Sequence, residues 1–525
     1  MRTKLLSTVF VIALSWLPAA AAIVGDVNGD GAVTSTDVAE VVNVLAGLST
    51  NAAADVNGDG EVTSADVGMI VNILAGLYVP EPEPEPVDGY AYVWDHSVIP
   101  EIHILVKPKD WNELLSNYDA NPHTKQYIVA SQFTYIKGGE TTVIDSVGLR
   151  LKGNTSRRRP EGWQGEMHHA NPDWHHAHFG INLRKYHKDE DHTIEGIRKL
   201  HLKWFKDDPN YVRELMCFNT FRDFGVWTAP RSVYCRLWLK VEGDPQEAYF
   251  GVYEMNEPID ENYLKNRNTE DLYGTHKGNL WKCKYVNGQA ALNNTNADFW
   301  YDDDSDDNHT YTLETNTKRF DNAKAQIVDF MLKLNGKGRE SFYNWIQQVC
   351  DVDFLLRTYA TSVALGSWDD YWNNGNNYYL YFTTEDIYDY KIYFIPYDYD
   401  NTLGTSINCG AQTDAGRQNP LQWGMTTIPL IQRLMDYEDF RAIYVKYLKE
   451  LVDPTTGPLH YNQATERIKE LQERIRPYVS NDTGEDMSIY DEPAGWGHNG
   501  DYRLLQDSQR NNFFRVKTET INALQ

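Results

Sequence analysis

The sequence predicts an α+β protein in two parts: a small all-α module, then a large unit with a mixed β first portion and a mostly helical second portion. Three observations carry that prediction. The stretch at residues 26–48 recurs at 55–77, and each copy ends in apolar residues at helical spacing. A tract of alternating Pro and Glu follows the repeat. Beyond it, aromatic and β-branched runs recur as far as a hairpin signal at 367–404, after which the apolar spacing is helical.

Residues 1–22 read as a signal peptide. Arg2 and Lys4 precede the apolar run 5–17, and the alanines at 19–22 offer a cleavage site. The run is too short to favour a permanent span. The expectation is a secreted or cell-surface protein with no stable membrane span after cleavage. A net charge of −26 argues against nucleic-acid binding, which wants a basic face. The five cysteines form no CxxC pair, so no Cys zinc cluster is predicted, and any one disulfide leaves an odd thiol.

The repeat reads DVNGDGAVTSTDVAEVVNVLAGL, then DVNGDGEVTSADVGMIVNILAGL, within a module spanning 23–78. Loop positions one, three, five and twelve carry Asp26, Asn28, Asp30 and Asp37, then Asp55, Asn57, Asp59 and Asp66. Gly31 and Gly60 hold position six, where a calcium loop turns sharply. Hard oxygen donors at this spacing, each set feeding a helix, predict two Ca²⁺ sites. Val38, Val41, Val42 and Leu45, matched by Val67, Ile70, Val71 and Leu74, supply the helical apolar spacing. Twin loops with Asp in the twelfth position resemble a type I dockerin. The resemblance implies a calcium-held helix pair that binds a cohesin on a scaffold protein, with Ser35, Thr36, Ser64 and Ala65 as recognition candidates. A calcium-stabilised spacer without a cohesin partner is the alternative.

Residues 79–88 read as a linker, because alternating Pro favours extended polyproline and the Glu side chains repel one another. At about 3.1 Å per residue its alternating tract at 80–86 would hold the module roughly 20–25 Å from the unit at 89–525. In that unit strands are expected at 102–106, 127–135 and 141–152, with a short helix at 110–116. The third strand ends in Lys152, Gly153 and the basic turn Arg157, Arg158 and Arg159, a combination that suits phosphates, although a solvated basic loop is the favoured reading of the arginine run. MHHANPDWHHAH at 167–178 concentrates histidines, with His176 and His178 on one strand face, but lacks an accompanying Cys or HExxH pattern. A strand bearing Lys199, His201 and Lys203 leads to a helix expected at 209–224. A strand through Tyr253 then leads to Glu254 and Glu257. A basic residue on a strand with a Glu on a neighbouring element is how a nucleotide-holding lobe places phosphates. Helices are expected at 322–334, 341–366, 429–435, 437–451 and 461–478.

The hairpin stretch is SWDDYWNNGNNYYLYFTTEDIYDYKIYFIPYDYDNTLG, with strands expected at 377–382 and 391–395. A hairpin brings its ends together, so Asp369 and Asp370 should lie near Asp398 and Asp400, with Asn373, Asn374, Asn376 and Asn377 between them. Phosphoryl transfer uses this layout: one Asp takes the hydroxyl proton, an Asn about five residues on holds metal, and an Asp after a hairpin holds metal across the phosphates. A polar loop with a structural cation is the alternative reading.

Seven blocks in order resemble the CotH kinase family: VGLRLKGNTSR, LHLKWFKDDPNYVRE, GVYEMNEPIDENYL, GNLWKCKY, WDDYWNNGNNYYLY, FIPYDYDNTLG and PLIQRLMDYEDFRAIY. The resemblance implies a bilobal atypical protein-kinase fold that uses ATP with Mg²⁺ or Mn²⁺ to phosphorylate Ser on secreted or coat proteins. It also implies Asp369 as the catalytic residue, with Asp370 as the fallback within the doublet. Asp398, with Asp400 beside it, is the implied metal holder, and Asn374 or Asn377 (or Asn376) the implied metal-binding amide. Lys203, Arg213 and Glu257 match recurrent polar positions of the nucleotide side. Where the family often has a Lys-rich segment this chain has HAHFGINL, leaving Lys152 or Lys203 to serve the phosphates.

The functional expectation is a secreted kinase that transfers the γ-phosphate of ATP to Ser or Thr hydroxyls of a secreted protein, tethered by the repeat to an extracellular assembly. Two other readings stay open. One is a non-catalytic adhesion or carbohydrate-associated component of such an assembly. The other is a glycoside hydrolase, which paired carboxylates permit but no surrounding pattern supports.

Overall fold

The computed structural model describes residues 25–30, 32–57, 61–75, 89–189, 192–269, 273–302, 308–405, 414–424, 428–495 and 501–524. The signal peptide, the linker, Asp59, both loop glycines, Cys409 and most of the acidic run at 302–308 lie outside them. The chain divides into two compact units, 1–87 and 88–525.

In the first unit, helices α1 (Ser35–Leu45) and α2 (Ser64–Leu74) start in the same way. Thr34 and Thr63 cap them, and Asp37 and Asp66, the twelfth loop residues, complete capping boxes. The core holds Val27, Val41, Ala54 and Ile70, all buried.

The second unit opens with α3 (Gly89–Val93), β1 (Glu101–Val106), α4 (Pro108–Ala120), β2 (Ile128–Lys137), β3 (Glu140–Lys152), β4 (His178–Asn182) and β5 (Lys199–Lys203). It continues with α5 (Arg213–Asp223), β6 (Ser232–Val241), β7 (Ala248–Asn256) and α6 (Glu261–Thr269). The seven strands so far close a barrel in the order β1-β2-β3-β4-β5-β7-β6, sealed by the parallel pairing of β1 with β6. Strands β8 (Asn279–Cys283), β9 (Phe299–Tyr301) and β10 (Tyr311–Leu313) belong to a second sheet. Helices α7 (Phe320–Gly336), α8 (Arg339–Val349), α9 (Val352–Leu365) and α10 (Tyr371–Asn374) then lead to the hairpin strands β11 (Tyr378–Phe382) and β12 (Ile392–Pro396), which complete that sheet in the order β12-β11-β8-β10-β9. Helices α11 (Pro429–Met435), α12 (Glu438–Leu451), α13 (Tyr461–Ile475) and α14 (Phe513–Asn522) finish the chain. The architecture is α+β.

Strand periodicity explains the barrel. β5 alternates, burying Leu200 and Leu202 inside while Lys199, His201 and Lys203 face out. A separate large core surrounds α9, whose Leu356, Tyr359 and Val363 are fully buried.

Three expected elements are revised. α5 starts at Arg213 rather than 209, because Tyr211 has a φ of +60° and Asp208 accepts the Val212 and Arg213 N–H groups at 2.8 and 2.9 Å. The helix expected over 341–366 is two helices, broken where Asp351 caps α9 by accepting the Phe354 N–H at 3.0 Å. The loop before β11 contains the single turn α10, capped by Asp370. The described cysteines Cys217, Cys235, Cys283 and Cys350 are free and buried.

Candidate active cleft

A cleft of about 510 Å³ opens beside the outward face of β5. One wall carries Arg150 and Lys152 of β3, the turn 153–157, and Lys199, His201 and Lys203. Lys282 of β8 and the hairpin ends, with Asp369, Asn376, Asn377, Asp398 and Asp400, complete it. Ten basic and eight acidic side chains line it, a slightly positive balance in a chain of net charge −26.

The hairpin register sets this geometry. Tyr378 pairs with Pro396, so the chain entering β11 and the chain leaving β12 emerge at one end of the ribbon. Both flanking residues adopt the left-handed region, Asn377 at φ +48° and Asp398 at +60°. Asn and Asp tolerate that conformation better than other non-glycine residues, and it turns the chain sharply out of each strand.

Lys203 is the hub. Its Nζ pairs with Glu214 of α5, lies 2.7 Å from Asp398 Oδ1 and 3.7 Å from Asp400 Oδ2. Glu214 also accepts the Tyr399 N–H at 3.1 Å, tying α5 to the acidic loop. Burial works against the Lys203 charge, but Asp398 and Glu214 outweigh it and raise its pKa well above the ordinary value. Burial likewise opposes ionisation of Asp398, and Lys203, Lys152 and His178 overcome that and lower its pKa.

Asp369 is set apart by amides. Asn374 and Asn376 each donate to its Oδ1 at 2.8 Å, and Asn377 donates to its backbone oxygen at 3.0 Å. Burial pushes its carboxyl up to about 6, against these hydrogen bonds and helped by the nearby Asp398 charge. Asp370 points elsewhere. It is 1% exposed, caps α10 through the Asn373 N–H at 3.1 Å, and accepts from Ser362 and from Tyr399 Oη at 3.3 Å. The sequence left the doublet open; only Asp369 reaches the cleft, while Asp370 anchors the turn that presents it.

Several other predicted residues fall in different places. Asn374 supports Asp369 from outside the cleft lining, whereas Asn377 lines it. Arg213 lines the cleft but is 2% exposed, pairs with Asp208, and keeps a buried Nε without a partner among the described residues. Glu257 lies away from the cleft lining. It is 4% exposed, is held by both Arg267 amino groups at 2.6 and 2.8 Å, by Tyr90 and by the Arg231 N–H, and does not line the cleft. Burial opposes its charge, yet the Arg267 and Arg231 guanidinium groups hold its pKa at about 2. The carboxylate that does meet the strand lysine is Glu214. Its sequence signal was a Glu in the helix directly after that strand.

Lys152 lies opposite His178 in the β3–β4 register. Its stem crosses Gly180, where an added Cβ would stand 3.1 Å from Lys152 Cγ, so a larger residue would press on the lysine stem. Burial first, then Arg150, Lys282 and Lys203, lower its pKa well below the usual lysine value. His178 accepts the Trp204 N–H at 3.0 Å on Nδ1, and His176 bonds the Phe250 carbonyl at 2.9 Å. Of the two histidines expected on one face, His176 thus serves the barrel wall, while His178 also lines the cleft.

The donor set fits a divalent cation. Asp398, Asp400 and the Asn377 amide supply hard oxygens. Asp400 Oδ1 is buried without a hydrogen-bond partner among the described residues, and burial beside ionised Asp398 raises its carboxyl pKa well above the ordinary range. A cation would relieve both penalties.

In the first unit, Asp26 and Asn28 both accept the Asp30 N–H, at 3.0 and 2.8 Å, which curls their oxygens around one loop. Asp37 accepts the Val27, Asn28 and Thr34 N–H groups at 2.8 to 3.0 Å, and Asp66 accepts those of Val56, Asn57 and Thr63 at 2.8 to 3.1 Å. Burial works against both charges, and these hydrogen bonds overcome it and lower both pKa values. Asp55 and Asn57 stand at the start of the second loop, as Asp26 and Asn28 do in the first. No helix among the described residues is long and apolar enough to cross a membrane.

Comparison with known proteins finds two family matches. The family described as CotH kinase protein matches residues 149–503, and the dockerin type I domain matches residues 24–75. Inner spore coat protein H of Bacillus subtilis is 27% identical over 312 residues, covering 58% of this chain and 76% of that protein. Spore coat protein homolog 1 of Rhizopus delemar is 23% identical over 392 residues, covering 70% of this chain and 53% of the fungal protein. This chain belongs to the CotH kinase protein family and carries a dockerin type I domain ahead of the family region.

Proposed function

We propose that the unit at 88–525 is a bilobal protein kinase of the CotH type, with the barrel as first lobe and the helical portion as second. It transfers the γ-phosphate of ATP to a Ser or Thr hydroxyl of a secreted protein. The observation that carries this reading is Lys203, which joins a helix Glu to an ionised Asp after a hairpin in the cleft that holds Asp369. A strand Lys paired with a helix Glu, and a metal-holding Asp, are the working parts of a protein kinase.

Asp369, ionised at neutral pH with a pKa of about 6, accepts the proton of the acceptor hydroxyl as its oxygen bonds the γ-phosphorus and the bond to the ADP oxygen breaks. Asn374 and Asn376 aim that carboxylate. Lys152, Lys203 and Arg150 neutralise the phosphates, and an arriving polyanion would raise the lowered pKa of Lys152. Mg²⁺ or Mn²⁺ held by Asp398, Asp400 and Asn377 would supply charge neutralisation between the phosphates.

In the same reading the small unit binds Ca²⁺ in two loops and docks on a cohesin-bearing scaffold, which places the kinase in an extracellular assembly. Val42, Leu45, Val71 and Leu74, at matching positions of the two repeats, are 44–48% exposed and supply apolar area for such a partner. Incubating the full chain with labelled ATP and Mn²⁺ beside Asp369→Ala and Asp398→Ala tests the kinase. Incorporation by the parent alone supports it, and equal label in all three sinks it. A thermal shift with polysaccharide but none with nucleotide would favour the adhesion reading.

A further inference from the structure

Asp145, His187 and His192 bring a carboxylate oxygen and two imidazole nitrogens within 4.8 Å of one another. Asp145 lies on β3, beside Ser146 whose φ of +53° bends the strand. Both histidines come from the connection between β4 and β5. Within that connection Ile194 and Ile197, each 2% exposed, bridge one another.

The imidazoles stack with centroids 4.5 Å apart. His192 Nε2 is 3.6 Å from Asp145 Oδ1, too long for a hydrogen bond. Both His192 ring nitrogens are buried and lack a hydrogen-bond partner among the described residues. A neutral imidazole has one donor and one acceptor to satisfy, so two orphaned ring nitrogens, one of them grouped with a second imidazole and a carboxylate, leave room for a ligand.

The geometry points to a second metal site, a two-His, one-Asp centre for an imidazole-preferring divalent ion of the Zn²⁺ class. Asp145 is 72% exposed on its side chain, leaving water a fourth position. The site is separate from the acidic cleft. Asp145 and Lys152 lie on the same strand, roughly 23 Å apart at about 3.3 Å per residue. The two sites also differ in chemistry, since carboxylate and amide oxygens select Mg²⁺ or Mn²⁺ whereas paired imidazoles select Zn²⁺. A bound ion would clasp the β4–β5 connection to β3.

The test titrates Zn²⁺ into the full chain in Ca²⁺-saturated buffer with excess Mg²⁺, following stoichiometry by calorimetry and metal analysis, and stability by thermal unfolding. The parent should bind one more Zn²⁺ than His187→Ala, gain stability from it, and give a Co²⁺ visible spectrum that the variant lacks. Asp145→Asn, an exposed and near-isosteric change, should weaken that Zn²⁺ by about tenfold or more without altering metal-free stability. Equal Zn²⁺ stoichiometry and affinity in parent and variants, or no Zn²⁺ uptake by the parent, overturns the assignment.

Discussion

Lys203 Nζ lies 2.7 Å from Asp398 Oδ1 and is also paired with Glu214, so one ammonium joins a barrel strand, a helix and the loop after the hairpin. The Lys203 side chain is 13% exposed and that of Glu214 4%, so removing the cation leaves carboxylates in a poorly solvated place. Lys203→Met is expected to lose about 3–5 kcal/mol of stability in urea unfolding. Lys203→Met with Glu214→Gln should recover part of that loss. Neither should transfer phosphate, with a fall of roughly 10²-fold or more.

The neighbouring aspartates should separate by readout. Asp370→Ala removes a cap and the partner of Ser362 and Tyr399, and should cost about 1–3 kcal/mol. Asp369→Asn keeps the shape and should change stability by less than about 1 kcal/mol. It should nevertheless abolish phosphate incorporation. The reverse pattern would exchange their roles.

The pH profile follows from Asp369. A base must be ionised, and burial puts this carboxyl at about 6, so kcat/KM should rise from pH 5 and level off above that value. The Asn376 amide favours the ionised form, so Asn376→Ala should move the midpoint upward.

Lys517 offers a test of the helical core. It is 1% exposed and lies 4.6 Å from the centre of the Trp423 ring, with no hydrogen-bond partner for Nζ among the described residues. Burial lowers its pKa to about 7. The unfolded chain, with an ordinary lysine, binds more protons between pH 7 and about 10.4, so this residue makes stability rise with pH across that window. Lys517→Met should flatten the rise and add roughly 1–3 kcal/mol near pH 6.

Calcium should control the first unit. Loop carboxylates that lose their cation repel one another. EDTA should therefore loosen α1 and α2, read by limited proteolysis, while Ca²⁺ at a thousand times its Kd should add about 4 kcal/mol. Asp37→Ala and Asp66→Ala should each remove one Ca²⁺ from the measured stoichiometry.

By itself the sequence determined what local spacing encodes. The twelve-residue loops feeding capped helices, the alternation that turns Lys203 out of β5, and the two aromatic runs of the hairpin depend on residues a few positions apart, so hydrogen-bond rules and periodicity reveal them. Tertiary structure decided which partners meet. Glu214 rather than Glu257 faces Lys203, because α5 brings Glu214 to the lysine while Glu257 is captured by Arg267 of α6. Asp369 rather than Asp370 reaches the cleft, because Ser362 of α9 and Tyr399 of the acidic loop claim the second carboxylate. The same holds for Asp145 with His187 and His192, which are separated in the chain and joined only when β3 lies beneath the β4–β5 connection. Ion pairs and ligand sets form across elements, and core packing, which no short window of sequence contains, sets the distances between those elements.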